Sequence, residues 1–146
     1  MKLRTNPSGV NFHWANSWRR NLPEVSTSAT RYPVRGEIWF VRMHTEPPDK
    51  GRRPVVVVSI NARNRHERAT TVLVVPLTTS IHKDFPTHLF LPAGETGLQA
   101  DCAARAEDVT VVLKSSLVEP NGPLRQLSNK RICELASRVA VSMGCL

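Results

Sequence analysis

Cysteine is too scarce in this chain for a disulfide framework. Cys102, Cys133 and Cys145 are odd in number, scattered and form no C-x-x-C pair, which fits a reducing compartment. Long apolar runs are missing too: none exceeds four residues, the length of 55–58, and that excludes a transmembrane helix. Five histidines, at 13, 44, 66, 82 and 88, show no metal-ligand spacing, so neither a metal nor another cofactor is expected. No Gly-rich phosphate loop, Ser-His-Asp series or Cys-His pairing occurs at an interpretable spacing. Internal repeats and low-complexity tracts are absent. Residues 1–34 lack the apolar stretch of a secretory signal, so the expected location is cytoplasmic.

What is present is positive charge. Twenty Lys and Arg against twelve Asp and Glu give +8 over 146 residues, and 40% of the chain is hydrophobic. That supports one real core and an anionic partner: nucleic acid, a membrane surface or an acidic protein. The first 34 residues differ from the rest. Lys2, Arg4, Arg19, Arg20 and Arg31 stand against Glu24 alone, Trp14 and Trp18 are interspersed, and apolar periodicity is lost. Residues 1–34 therefore read as a basic, poorly ordered N-terminal extension, either a nucleic-acid-contacting arm or a loosely attached leader, and residues 35–146 as the domain.

Within the domain, β-branched and aromatic runs predict strands at residues 36–41, 53–60, 70–77, 86–91, 98–107 and 109–113. Residues 61–69 read as a polar loop, 92–97 as a turn and 117–127 as a loop. Ser128 is the expected N-cap of one helix. Its apolar stripe is Ile132, Leu135, Ala136, Val139, Ala140 and Met143, and Gly144 is the stop. The expectation is a mostly β fold, a barrel of short strands closed by a C-terminal helix. Trp39, Phe40, Phe85 and Phe90 are read as core rather than as base-stacking platforms, and His82 and His88 as ordinary surface or strand histidines.

Three places set polar chemistry beside buried strands. Arg52 and Arg53 precede the run 54–58; a guanidinium at the mouth of a rigid strand is either aimed at a phosphate or a solvated charge. Thr78, Thr79 and Ser80 end another run, where hydroxyls either donate to a phosphate oxygen or cap a turn. Arg105 and Glu107, two apart in an expected strand, share one face and serve either acid–base work or a surface ion pair. The basic segment with Asn64 and Arg65 is either RNA-contacting or merely solvated.

The order of these blocks resembles the MazF/PemK toxins of bacterial toxin–antitoxin pairs. The resemblance rests on Arg35-Gly36-Glu37-Ile38-Trp39, on Gly51-Arg52-Arg53-Pro54-Val55-Val56-Val57-Val58-Ser59, on Pro76-Leu77-Thr78-Thr79, and on Thr96-Gly97-Leu98-Gln99-Ala100-Asp101-Cys102 with Ala106-Glu107-Asp108-Val109. It implies an SH3-like β-barrel of the CcdB/PemK/MazF type, a homodimer, and a metal-independent endoribonuclease that cuts single-stranded RNA sequence-selectively. It also implies an acidic antitoxin as partner. The arginine of the family's R-P-V motif falls on Arg53 and its threonine on Thr78; the arginine and carboxylate of the PemK branch fall on Arg105 and Glu107. Arg52, Ser59, Asn64, Arg65, Thr79 and Ser80 are the expected RNA-contacting set. Two stretches depart from the family pattern: Pro47-Pro48-Asp49 replaces Ser/His-Glu-Gln, so that contribution is either missing or moved to Glu46 or His44, and Glu107-Asp108-Val109-Thr110 lacks an amide and a basic residue. Two alternatives stay open: a CcdB-type gyrase poison, disfavoured because the end Gly144-Cys145-Leu146 holds no tryptophan, and an inactive barrel kept as a binding module.

Overall fold

Valines that alternate between two buried faces build the centre of this molecule. A computed structural model describes residues 32–42, 51–117 and 122–145. The expected extension lies outside the described residues as far as Arg31, and so do residues 44–49. Among the described residues six strands form antiparallel pairs: β1 (Ile38–Arg42), β2 (Arg52–Val57), β3 (Thr71–Thr78), β4 (His88–Leu91), β5 (Cys102–Arg105) and β6 (Thr110–Leu113). Two helical turns, α1 (Asn61–Asn64) and α2 (Ala93–Thr96), interrupt them, and α3 (Asn129–Ser142) follows. The segments expected as loop 61–69 and turn 92–97 thus each close into one turn of helix. Gly97, at φ 78°, ends α2 in the left-handed region that glycine adopts most readily.

The spatial order is β1-β2-β3-β5-β4, with β6 also paired to β3. β2 occupies one edge of β3, while β5 and β6 share the other. This is an open sheet, and it corrects the expected closed SH3-like barrel. Closure needs a continuous ladder around the ring. Among the described residues there is instead a single bridge between the β6 end and β1, Val41↔Leu117. β6 is four residues long and turns away into the 3-10 segment Lys114–Ser116 before a ladder with β1 can form. The β1 edge is covered by extended chain: Ile38 N donates to Arg125 O (2.8 Å) and Leu127 N to Gly36 O (2.9 Å).

One face of the sheet carries Ile38, Val56, Val75, Leu77, Leu89, Leu91, Cys102 and Ala104 and packs against Ile132 and Leu135 of α3. Burial of a side chain such as Leu135 is worth about 2 kcal/mol. The other face, over β1, β2 and β3, buries Trp39, Val41, Val55, Val57, Val72 and Val74. Ser128 caps α3 as its sequence requires, its Oγ accepting from Arg131 N at 3.3 Å. The stripe is fully buried only at Ile132 and Leu135; Val139 is partly buried against the same core, Ala136 is exposed and Met143 is 74% exposed.

Gly36 enters β1 at φ 93°, and a Cβ there would sit 2.9 Å from Leu127 O. Gly36→Ala is expected to cost about 2 kcal/mol through backbone strain and contact with a carbonyl held by the Leu127 hydrogen-bonded segment. Urea unfolding checks this; a midpoint equal to wild type would refute it.

Candidate functional site

Strand register brings the expected site residues to one face. β2 and β3 pair from Val57↔Val74 to Val55↔Pro76, and Arg53 and Thr78 each lie two residues beyond that last pair, on the same face as Val55 and Pro76. β3 then pairs with β5 through Thr78↔Ala103, and β5 with β4 through Phe90↔Ala103 and His88↔Arg105. Laterally paired residues, and residues two apart on a strand, project from the same side. Arg53, Thr78, Arg105, His88 and Phe90 therefore share the face opposite α3. Arg52 projects from the other face, opposite Arg42 of β1. Arg42, Arg52 and Arg53 are all exposed, and among the described residues none of the three has an ion-pair partner. Three guanidinium groups at one sheet end raise a positive potential that attracts an anion. Nothing in the local sequence marks Arg42; only its register with Arg52 brings it here.

Thr78 does both things its position allows. Its Oγ1 accepts from Ser80 N at 3.1 Å, which closes the turn. The hydroxyl proton remains available to donate. Thr79 and Ser80 are exposed beside it.

Glu107 is not in a strand, which corrects the expected strand 98–107. Four residues of β3, from Leu77 back to Val74, are matched by seven on the opposing chain, from Ala104 to Thr110. The surplus is absorbed by a 3-10 turn, Ala106–Asp108, that lifts Glu107 out of the sheet. There Thr87 Oγ1 donates to Glu107 Oε2, His88 Nε2 lies 3.1 Å from Oε1, and Arg105 Nε lies 3.5 Å from Oε1 and 3.2 Å from Asp108 Oδ2. The Thr87 hydrogen bond, with smaller help from His88 and Arg105, holds the Glu107 carboxyl below its ordinary value against a modest opposing effect of burial. The carboxylate is ionised, and its basicity is low.

His88 is the residue that sequence reasoning missed. Its side chain is 4% exposed, it holds Glu107, and its Nδ1 is buried without a partner. Nothing in its local sequence marks it; only the β4–β5 register sets it beside Arg105.

Other expected residues lie elsewhere. Ser59 and Asn64 are buried and bonded to each other: Ser59 Oγ to Asn64 Oδ1 at 2.5 Å and Asn64 Nδ2 to Ser59 O at 2.8 Å, with Leu73 N donating to Ser59 Oγ. They staple the β2–α1 corner and are withdrawn from the RNA-contacting set. Arg65 is exposed, but it follows α1, at the end of β3 where Arg63 binds Thr71. That is about 20 Å along the strand from Thr78. Trp39 is core as expected; Phe85 and Phe90, at 50% and 36% exposed, are not, because one sits on the 79–87 loop and the other on the uncovered face of β4. Burial pushes the Cys102 thiol up to about 11, so it is no nucleophile at neutral pH. Among the described residues no three His, Cys, Asp or Glu side chains group as metal ligands, and no helix is long and apolar enough to cross a membrane.

Comparison with known proteins gives a consistent picture. A family model described as PemK-like, MazF-like toxin of type II toxin-antitoxin system matches residues 34–143. Endoribonuclease MazF9 of Mycobacterium tuberculosis is 38% identical over 96 residues, covering 60% of this chain and 79% of the relative. Probable endoribonuclease MazF5 of the same organism is 34% identical over 112 residues, covering 77% and 95%. Among solved structures, an endoribonuclease in complex with its cognate antitoxin from a mycobacterial species superposes with a TM-score of 0.61 at 24% identity, covering 77% of this chain and 95% of that one; at that identity it speaks for the fold.

Proposed function

This chain belongs to the PemK-like, MazF-like toxins of type II toxin–antitoxin systems, and from that premise we propose how its residues cut RNA. It is the toxin component of such a pair and acts as an RNA endoribonuclease.

Single-stranded RNA supplies its own nucleophile. A 2′-OH held in line with the leaving 5′-oxygen attacks the adjacent phosphorus, the P–O5′ bond breaks, and the products are a 2′,3′-cyclic phosphate and a 5′-OH. The protein must orient the linkage, accept one proton and neutralise the phosphorane. Arg53 neutralises that charge and hydrogen-bonds the leaving oxygen, which takes its proton from water. Thr78 donates its hydroxyl proton to a non-bridging oxygen. Glu107 accepts the 2′-OH proton: three donors occupy its carboxylate, which has room for about four. Arg105 and His88 hold it in place. No step calls for a metal ion. Thr79 and Ser80 flank the linkage as RNA contacts, and Arg52, on the other face, adds positive charge at the same sheet end. The observation that carries this reading is the β2–β3 register, which supports convergence of Arg53 and Thr78 on one phosphate.

An acidic antitoxin segment suits the unpaired Arg42, Arg52 and Arg53. A second copy of the chain suits β6, where Val111 and Leu113 are exposed on one face. The test is a mixed RNA pool in excess EDTA, with a gyrase assay alongside. The expected result is discrete fragments ending in 2′,3′-cyclic phosphate. Trapped cleaved DNA would favour a gyrase poison instead, and no product of either kind would favour a binding module.

A further inference from the structure

We propose that His82, Phe85 and Phe90 form a stacking platform for a nucleobase of single-stranded RNA next to the cleaved linkage. This rests on the functional reading above and assigns it a further subsite. Phe90 pairs laterally with Ala103, and Ala103 with Thr78. Two inter-strand steps therefore separate Thr78 from Phe90 on the same sheet face, about 10 Å. A nucleotide adjoining a phosphate at Thr78 spans that gap. The residue between them, Ala103, contributes only a methyl group.

The aromatic groups are exposed yet held. Phe85 is 50% exposed, its ring 5.1 Å from that of His82 and 5.1 Å edge-on to that of His88. The turn beneath is fixed by Phe85 N donating to His82 O and His88 N to Phe85 O. Helix α3 clamps the segment from behind: Arg138 Nη1 donates to Pro86 O at 2.8 Å and Arg131 Nη2 to Phe90 O at 2.5 Å. Such a platform loses little freedom when a base lands on it. Lys83 Nζ lies over the Phe90 ring, 5.2 Å from its centroid, and sets a positive charge on that side of the ring. Aromatic faces interleaved with positive charge fit a base and its phosphate; an apolar protein segment would call for aliphatic contact without the lysine. His88 joins the platform to the Glu107 carboxylate, which places the stacked base beside the reacting ribose.

The probe is a fluorescein-labelled single-stranded RNA with a 2′-deoxy residue at the cut position, its binding to the full chain followed by anisotropy. Phe85→Ala is expected to weaken binding about tenfold, and Phe85→Tyr to keep it within about twofold, as stacking requires. An abasic nucleotide at one flanking position should weaken wild type by the same factor and leave Phe85→Ala unchanged. Unaltered affinity of Phe85→Ala, or abasic and Phe85→Ala effects that simply multiply, overturns the platform. If stacking is seen but cleavable RNA is not cut, the nuclease mechanism falls and the platform stands; if RNA is cut while Phe85→Ala binds as wild type, the reverse holds.

Discussion

An RNA oligonucleotide with a single 2′-deoxy residue at the cleaved position is expected to survive the enzyme intact while its all-ribose twin is cut. The reason is the origin of the nucleophile. The proposed site supplies a cation at Arg53, a hydroxyl donor at Thr78 and a carboxylate at Glu107. None of these attacks phosphorus here; Cys102, the buried thiol, is pushed up to about 11 and stays protonated. The attacking oxygen must then come from the ribose, and one missing atom removes the reaction rather than slowing it. An activated water would leave the 2′-OH dispensable and would give no cyclic phosphate. Denaturing gels read the outcome, and anisotropy confirms that the deoxy strand still binds. Cleavage of the deoxy strand at more than a trace would sink the mechanism.

Arg53→Ala carries the next largest effect: about a 10³-fold loss in single-turnover rate, the scale of removing a donor aimed at transition-state charge. Arg53 is exposed at the start of β2, ahead of the buried Val55–Val57 ladder, so the thermal midpoint should hardly move. Lys at this position restores the charge without the planar fork, and Arg53→Lys should recover only part of the rate. Arg65→Ala, about 20 Å away along β3, is the control and should leave the rate nearly unchanged. A rate for Arg53→Ala within threefold of wild type would falsify its role on the phosphate.

The C-terminal helix was legible because a 3.6-residue stripe, a serine cap and a glycine stop all point the same way, and each is local. The valine strands were legible for the same reason. Glu107 was misplaced because alternation along one chain cannot reveal three surplus residues; only the opposing strand β3 counts them. Ser59 and Asn64 show the converse error. Their polar side chains suggested RNA, yet they are spent on each other and on Leu73 N inside a corner. His88 has no local signature, and Phe85 and Phe90 looked like core because aromatic strands commonly pack.

By itself the sequence determined the strand and helix propensities, the family motifs, the positive charge and the two residues, Arg53 and Thr78, on which the proposed chemistry depends. These follow from local sterics, hydrophobic period and residue type, which need no partner across space. Tertiary structure alone decided that the sheet stays open, that Glu107 rides a bulge held by Thr87 and His88, and that two phenylalanines face outward. Each of these is set by which strand lies beside which and in what register, and pairing between distant segments leaves no imprint on either segment alone.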